Sequence, residues 1–374
     1  MIKWRIPVCI GVCFLSHGFA FAQSDTKQTK NITVPARISL IPGLSTQGKN
    51  DIYTTSNFSL NVLGGTTGSI NGLELGSLFN INKRNMHGVQ SAGLFNMTEG
   101  SVNGLQMAGL LNNVKENFSG VQSAGLVNYV AKNTYGIQKA GLYNQTSGSF
   151  TGFQVAGIAN YTHEKFRGLQ LAGVANINNG TVTGFQAAGV FNYTKHLKGV
   201  QLGLINVADT SDGFSIGLIN IVKKGYHKIT ISSNEVLNTN IALKSGNAKL
   251  YNILFVGINA GQDKKGFSYG YGIGHEIKLG NRFAVNPELT TQYLYLGSWH
   301  YFNSLSKLQL QASVRLAPGV AFFAGPSFAV YYTEQPDAIK GYKFNLPSDN
   351  YHAFDLWNKN VKGWIGWTAG INFL

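Results

Sequence analysis

Eight histidines are the side chains best suited to metal or acid–base chemistry, and the sequence does not gather them. His17, His87, His163, His196, His227, His275, His300 and His352 make no His-x-x-x-His pair or similar ligand spacing. His87, His163 and His196 fall among turn residues, where a solvated imidazole is expected. Gly270-Tyr271-Gly272-Ile273-Gly274 is glycine-rich, but it alternates like a strand. It lacks the Gly-x-Gly-x-x-Gly spacing and the following helix that cradle a nucleotide phosphate. The repeat serines are not read as nucleophile elbows. No enzyme activity, no cofactor and no metal site is therefore expected.

The polar side chains that do recur are amides. Gln90, Gln106, Gln122, Gln138, Gln154, Gln170, Gln186 and Gln201 each follow a glycine by two residues. They share one strand parity with small residues, as Gly152, Gln154, Ala156 and Asn160 show. The other parity carries Phe153, Val155, Gly157, Ala159 and Tyr161. A small, polar face opposite an apolar one with aromatic rims is the pattern of a membrane barrel. On that reading the eight glutamines are candidate lumen-lining residues. The competing reading makes the Gln and Asn rows packing ladders inside a β-protein.

The elements behind these rows follow from a repeat. Gly72, Gly88, Gly104, Gly120, Gly136, Gly152, Gly168 and Gly184 are spaced by 16 residues. Around them runs Gly-apolar-Gln-x-Ala-Gly-apolar-x-Asn, with Glu74 replacing Gln in the first copy. Shortened copies span 199–206 and 213–220. The cores contain only two charged residues, Glu74 and Lys139, so charge is confined to the connectors. Two glycines per core exclude a helix, because each costs about 1 kcal/mol there. Alternation with Val, Ile, Phe and Tyr favours strands.

Connectors after Asn128, Asn160 and Asn192 are Tyr-led and basic; those after Asn144, Asn176 and Asn206 are neutral or acidic. The phase reverses upstream, where the connector after Asn80 is basic and that after Asn96 acidic, but the 32-residue alternation favours antiparallel hairpins closed as an outer-membrane barrel of roughly 16–20 strands. The alternative is a β-solenoid followed by a small C-terminal barrel.

Downstream, 267–279 and 282–296 flank the hairpin turn Gly280-Asn281. Residues 305–316 and 320–332 flank Ala317-Pro318-Gly319, and 333–362 forms a long aromatic and polar loop. The final run puts Ile365, Trp367, Ala369, Ile371 and Phe373 on one face, as in the closing strand of outer-membrane proteins.

The N-terminus reads as a secretory leader. Lys3 and Arg5 precede an apolar run over 6–15, and Ala20-Phe21-Ala22 gives the cleavage pattern. Both cysteines, Cys9 and Cys13, lie there, so no disulfide or thiolate metal site is expected beyond it. The 374 residues carry 46 glycines but only 12% charged side chains, against roughly a quarter in soluble domains. The net charge of +14 lacks a clustered stripe, so nucleic acid is not the expected partner.

The repeat, with Lys224-Gly225-Tyr226-His227-Lys228 and the closing hairpins, resembles surface-repeat outer-membrane proteins of Bacteroidota and spirochaetes. That resemblance covers about residues 60–374 and implies a cell-envelope location, with no chemistry to transfer. The expectations are a leader over 1–22, a flexible lead-in over 23–50 and a barrel over 51–374. Within that barrel, 72–220 holds the repeats and 228–374 the hairpins. The expected location is the outer membrane or surface of a Gram-negative cell. The expected role is a passive, weakly anion-preferring channel or, alternatively, a non-conducting structural or adhesive protein. Expected partners are outer-membrane lipid and the barrel-assembly machinery, engaged through the last strand. Envelope polysaccharide is a further candidate, at the basic connectors.

Overall fold

A computed structural model describes residues 32–261, 263–348, 350–356 and 360–373. The leader and the start of the lead-in lie outside the described residues. The described chain is all-β, apart from one short 3-10 turn, Gly48–Tyr53. It combines a parallel solenoid with a closed antiparallel barrel.

Each repeat forms one solenoid coil rather than one hairpin strand. In the coil holding Gln154, the strand Phe150–Ala156 is followed by a corner at Gly157-Ile158 and then the strand Ala159–Thr162. The next coil lies parallel and in register, with Gly152 beside Gly168, Gln154 beside Gln170 and Asn160 beside Asn176. The two glycines make this stacking possible. Gly152 has φ +133°, and a Cβ there would lie 1.9 Å from the Gly136 carbonyl oxygen. At Gly157 a Cβ would lie 2.0 Å from the Gly141 oxygen.

The all-β class and a closed barrel are as expected. Of the two architectures, the chain adopts the solenoid with a small barrel. Antiparallel pairing is confined to the barrel, apart from a short pairing of Leu44–Ser45 at the N-terminal end. The barrel starts at Tyr226, not near residue 51. The connector alternation has another cause. Connectors stack along one edge, and opposite charges on neighbouring coils pair there. Lys83 and Lys115 both reach Glu99, at 3.1 and 3.3 Å, and Lys132 reaches Glu116 at 2.5 Å. In the short copies the loss of one residue puts Asn206 on the strand parity of Val200, and the fold removes that conflict. The Ala-Gly step is a bend between two strands, so the faces on its two sides are set separately.

The described part of the lead-in is not flexible: the strand Ile32–Ile41 covers the N-terminal end of the solenoid and pairs in parallel with Thr54–Asn61. Pro35 interrupts its hydrogen-bonding edge, a device that discourages further strand addition.

The barrel is an eight-stranded meander that starts with Tyr226–Asn234 and ends with Val361–Phe373. These two strands pair antiparallel, Ile231 beside Ile371, and close the ring. One end carries the segments 235–238, 259–266, 296–302 and the long 334–360 loop. The other carries shorter connections, including Pro318-Gly319, together with the solenoid and the end of the last strand.

Candidate functional site: two filled interiors

The solenoid interior combines amide rows with a buried apolar row that includes Met86, Phe118, Phe150 and Phe166. Gln90, Gln106, Gln122, Gln138, Gln154, Gln170, Gln186 and Gln201 are all 0% exposed. They line no lumen. From Gln106 onward each donates from Nε2 to the Oε1 of the preceding glutamine; Gln154 reaches Gln138 at 2.8 Å and receives Gln170 at 2.7 Å. Parallel register puts identical side chains one strand spacing apart, so each amide meets its own kind. The sequence parity correctly separated inside from outside, but the inside is a hydrogen-bonded ladder.

A second ladder runs in the opposite sense. Asn144 donates from Nδ2 to Asn160 Oδ1 at 2.9 Å, and Asn160 donates to Asn176 at 2.9 Å. The second Nδ2 proton goes to a backbone carbonyl of the next coil, as from Asn144 to Val155 at 2.6 Å. The two amide rows therefore oppose one another's dipoles.

Both rows meet an ionisable side chain at the N-terminal end. The glutamine row ends with its donor end on Glu74, whose Oε2 accepts from Gln90 at 2.8 Å and Asn82 at 2.9 Å. Burial pushes the Glu74 pKa above the usual carboxylate range, against the pull of bonds from Asn82, Gln90 and Asn61 and the Arg37 charge. The asparagine row ends with its acceptor end on Arg37, whose guanidinium is also paired bidentately with Asp51 at 2.8 and 2.9 Å. These caps were missed in the sequence, although the Glu74-for-Gln departure signalled one of them.

The barrel interior is also polar. Along Asn303–Ala317, Lys307, Gln309, Gln311 and Ser313 are buried, while Leu308 and Leu310 are 57% and 54% exposed. Lys307 pairs with Glu235 at 2.9 Å, and Trp364 Nε1 donates to the same carboxylate at 3.0 Å. Deeper along the axis Lys244 pairs with Glu288, which also accepts from Tyr251 at 2.7 Å and Gln311 at 3.0 Å. Near the solenoid, Lys228 pairs with Glu276 at 2.6 Å and lies over the Tyr226 ring. Gly270-Tyr271-Gly272-Ile273-Gly274 lies in a barrel strand; a Cβ on Gly274 would strike the Tyr251 ring. The cavity between the Lys307 and Lys244 pairs is about 40 Å³, room for a few waters at about 10–15 Å³ each. The long-loop end is closed by apolar packing of Val236, Leu237, Leu294, Leu296 and Leu346 with Trp364. The alternation in 305–314 signalled these inward charges; their partners lie too far away in sequence to be read.

The histidines remain dispersed. His163 Nδ1 meets the Tyr161 hydroxyl at 3.1 Å, His196 lies 3.2 Å from Asp212, and His227 meets the Val222 carbonyl at 2.6 Å. Among the described residues no three His, Cys, Asp or Glu side chains gather as a metal site. Gly213-Phe214-Ser215-Ile216-Gly217 does have the Gly-x-Ser-x-Gly spacing of a nucleophile elbow. Ser215 is instead a buried ladder residue, with Oγ donating to Gln201 Oε1 at 3.4 Å in a strand followed by another strand. No protein-family model, no curated protein and no solved structure matches this chain.

Proposed function

We propose that this protein is an integral outer-membrane protein in which the eight-stranded barrel is a closed anchor and the solenoid is the part it holds at the membrane. One observation carries the reading: the barrel buries charge and exposes hydrocarbon. Lys307, Glu235 and Gln311 face inward, while Leu308, Leu310 and Ile365 cover the outside. Exposing a leucine to water forfeits about 1.5–3 kcal/mol of burial. A continuous wall of such residues is stable in lipid, where a closed sheet also satisfies every backbone group. Among the described residues no helix is long and apolar enough to cross a membrane, and a barrel needs none.

The filled interior favours the non-conducting alternative over the channel. Three ion pairs, a cavity of only about 40 Å³ and the apolar plug under the long loop fill the described interior, which supports a closed barrel. Short turns belong on the periplasmic side and long loops outside. The 334–360 loop is then extracellular and the solenoid periplasmic. The last strand, Val361–Phe373, is the segment offered to the assembly machinery. Reconstitution in a planar bilayer tests the closed state. Folded, inserted protein should give no unitary current steps; stable ohmic steps would restore the channel.

A further inference from the structure

The solenoid is amphipathic in cross-section. At the corner after each second glycine stands one row of apolar side chains, among them Leu94, Leu126, Ile158, Val190 and Leu218. All five are 39–47% exposed, and the row holds no charge from Leu78 to Leu218. Consecutive corners are hydrogen-bonded, as from Leu126 N to Leu110 O at 3.0 Å. At the 4.7–4.9 Å spacing of paired strands the row is roughly 43 Å long. Farther round alternate coils, outward-facing Tyr129, Tyr161 and Tyr193 stand between this edge and the charged connectors. Hydrocarbon, then tyrosine, then Lys and Glu is the order met on passing from a bilayer interior through its interface into water.

The junction sets the direction of this gradient. Tyr271 projects from the outer barrel wall between exposed Tyr269 and Ile273, and its hydroxyl donates to Gly217 O at 2.9 Å. Gly217 belongs to the apolar corner of the last coil. The opposite corner meets the short-turn end of the barrel, where Asn247 Nδ2 donates to Gly213 O at 2.7 Å. The last coil therefore stands against the barrel wall with its apolar corner toward the lipid belt and its polar corner toward the barrel's end. The other coils stack on it in register, so the apolar edge leaves the wall at the level of Tyr271.

We infer that the apolar edge of the solenoid beds into the membrane leaflet beside the barrel, with lipid acyl chains covering the row from Leu78 to Leu218. This rests on the barrel spanning the membrane. The edge is continuous with the barrel's apolar wall at Tyr271, which is why lipid is the occupant. The solenoid is then a wing lying in the leaflet, with its charged connectors toward water.

The test uses the full chain with Cys9 and Cys13 replaced by Ser, refolded into phosphatidylcholine vesicles containing nitroxide-labelled acyl chains. Single-cysteine variants Leu310→Cys on the barrel wall, Leu126→Cys on the solenoid edge and Lys132→Cys on the connector edge carry the same fluorophore. The expected result is several-fold stronger nitroxide quenching at positions 310 and 126 than at 132, with iodide quenching in the reverse order. Lipid quenching at 310 together with iodide quenching at 126 overturns the inference and leaves the anchor reading intact. Shielding of 126 from both quenchers, with disulfide crosslinking between two Leu126→Cys chains, also overturns it, in favour of pairing with a second copy. Loss of lipid quenching at 310 contradicts the anchor and the inference together.

Discussion

Arg37 Nη1 donates to Asn61 Oδ1 at 2.8 Å, placing a guanidinium on the acceptor end of the asparagine ladder. The same group spends its remaining donors on Asp51, Ser59 and the Thr66 carbonyl. Arg37→Met would strand the buried Asp51 carboxylate. Breaking one side of a buried pair costs about 3–5 kcal/mol. Native-state hydrogen exchange should show lost protection in the coils nearest Arg37 and unchanged protection in the barrel. A uniform loss would mean the end cap is not a local device.

Glu74 gives the solenoid a pH dependence. Burial, the largest influence, raises its pKa from an ordinary value near 4.5 in the folded chain. The folded state then holds a proton that the unfolded state has released, so stability falls as pH rises from about 4.5 through the folded pKa. In Glu74→Gln that slope disappears. Protection of the first coils in the native chain, relative to this variant, should decline with rising pH and then level off. A relative protection that increases with pH would give the titration the opposite sign.

The ladder makes Gln154 less tolerant than its outward neighbour Phe153. Gln154→Arg buries an unpaired charge and orphans Gln138 Oε1 and Gln170 Nε2, each worth about 1–3 kcal/mol. Phe153 is 53% exposed, so Phe153→Arg leaves both amide rows intact. A urea refolding titration should rank Gln154→Arg as the more damaging. A wet lumen around Gln154 would reverse that order.

Gly152→Ala tests the parallel stack itself. The added Cβ meets the Gly136 carbonyl oxygen at 1.9 Å, in a backbone region that L side chains rarely adopt. Strain of that kind alone costs about 1–3 kcal/mol. The coils on both sides should lose exchange protection, whereas an alanine accommodated without loss would contradict this close approach.

Inside the barrel, Lys307→Met leaves Glu235, among the described residues, with the Trp364 and Trp367 N–H donors. The single variant should unfold in detergent at clearly lower temperature, by the same 3–5 kcal/mol logic. Lys307→Met combined with Glu235→Gln should recover most of the loss. Equal loss in the single and double variants would mean the pair is not coupled.

Much of this was legible in the residues. The 16-residue period, the strand character and the inside and outside parity at Gln154 and Phe153 follow from local spacing. The choice between hairpin and coil did not, because charge pairing between neighbouring coils and the two ends of a meander both produce alternating connectors. Lys83, Glu99 and Lys115 alternate in sign to pair across stacked coils, and that pairing imitates a two-ended meander. The Lys307–Glu235 contact joins positions 72 residues apart, and no local pattern identifies such partners.

The membrane anchor is tested most directly by alkaline carbonate extraction of outer membranes from cells producing the full chain. On the proposed reading a barrel walled by Leu308, Leu310 and Ile365 stays in the membrane pellet, with lipid covering its apolar outer surface. Release of folded protein into the carbonate supernatant would contradict a membrane-spanning barrel.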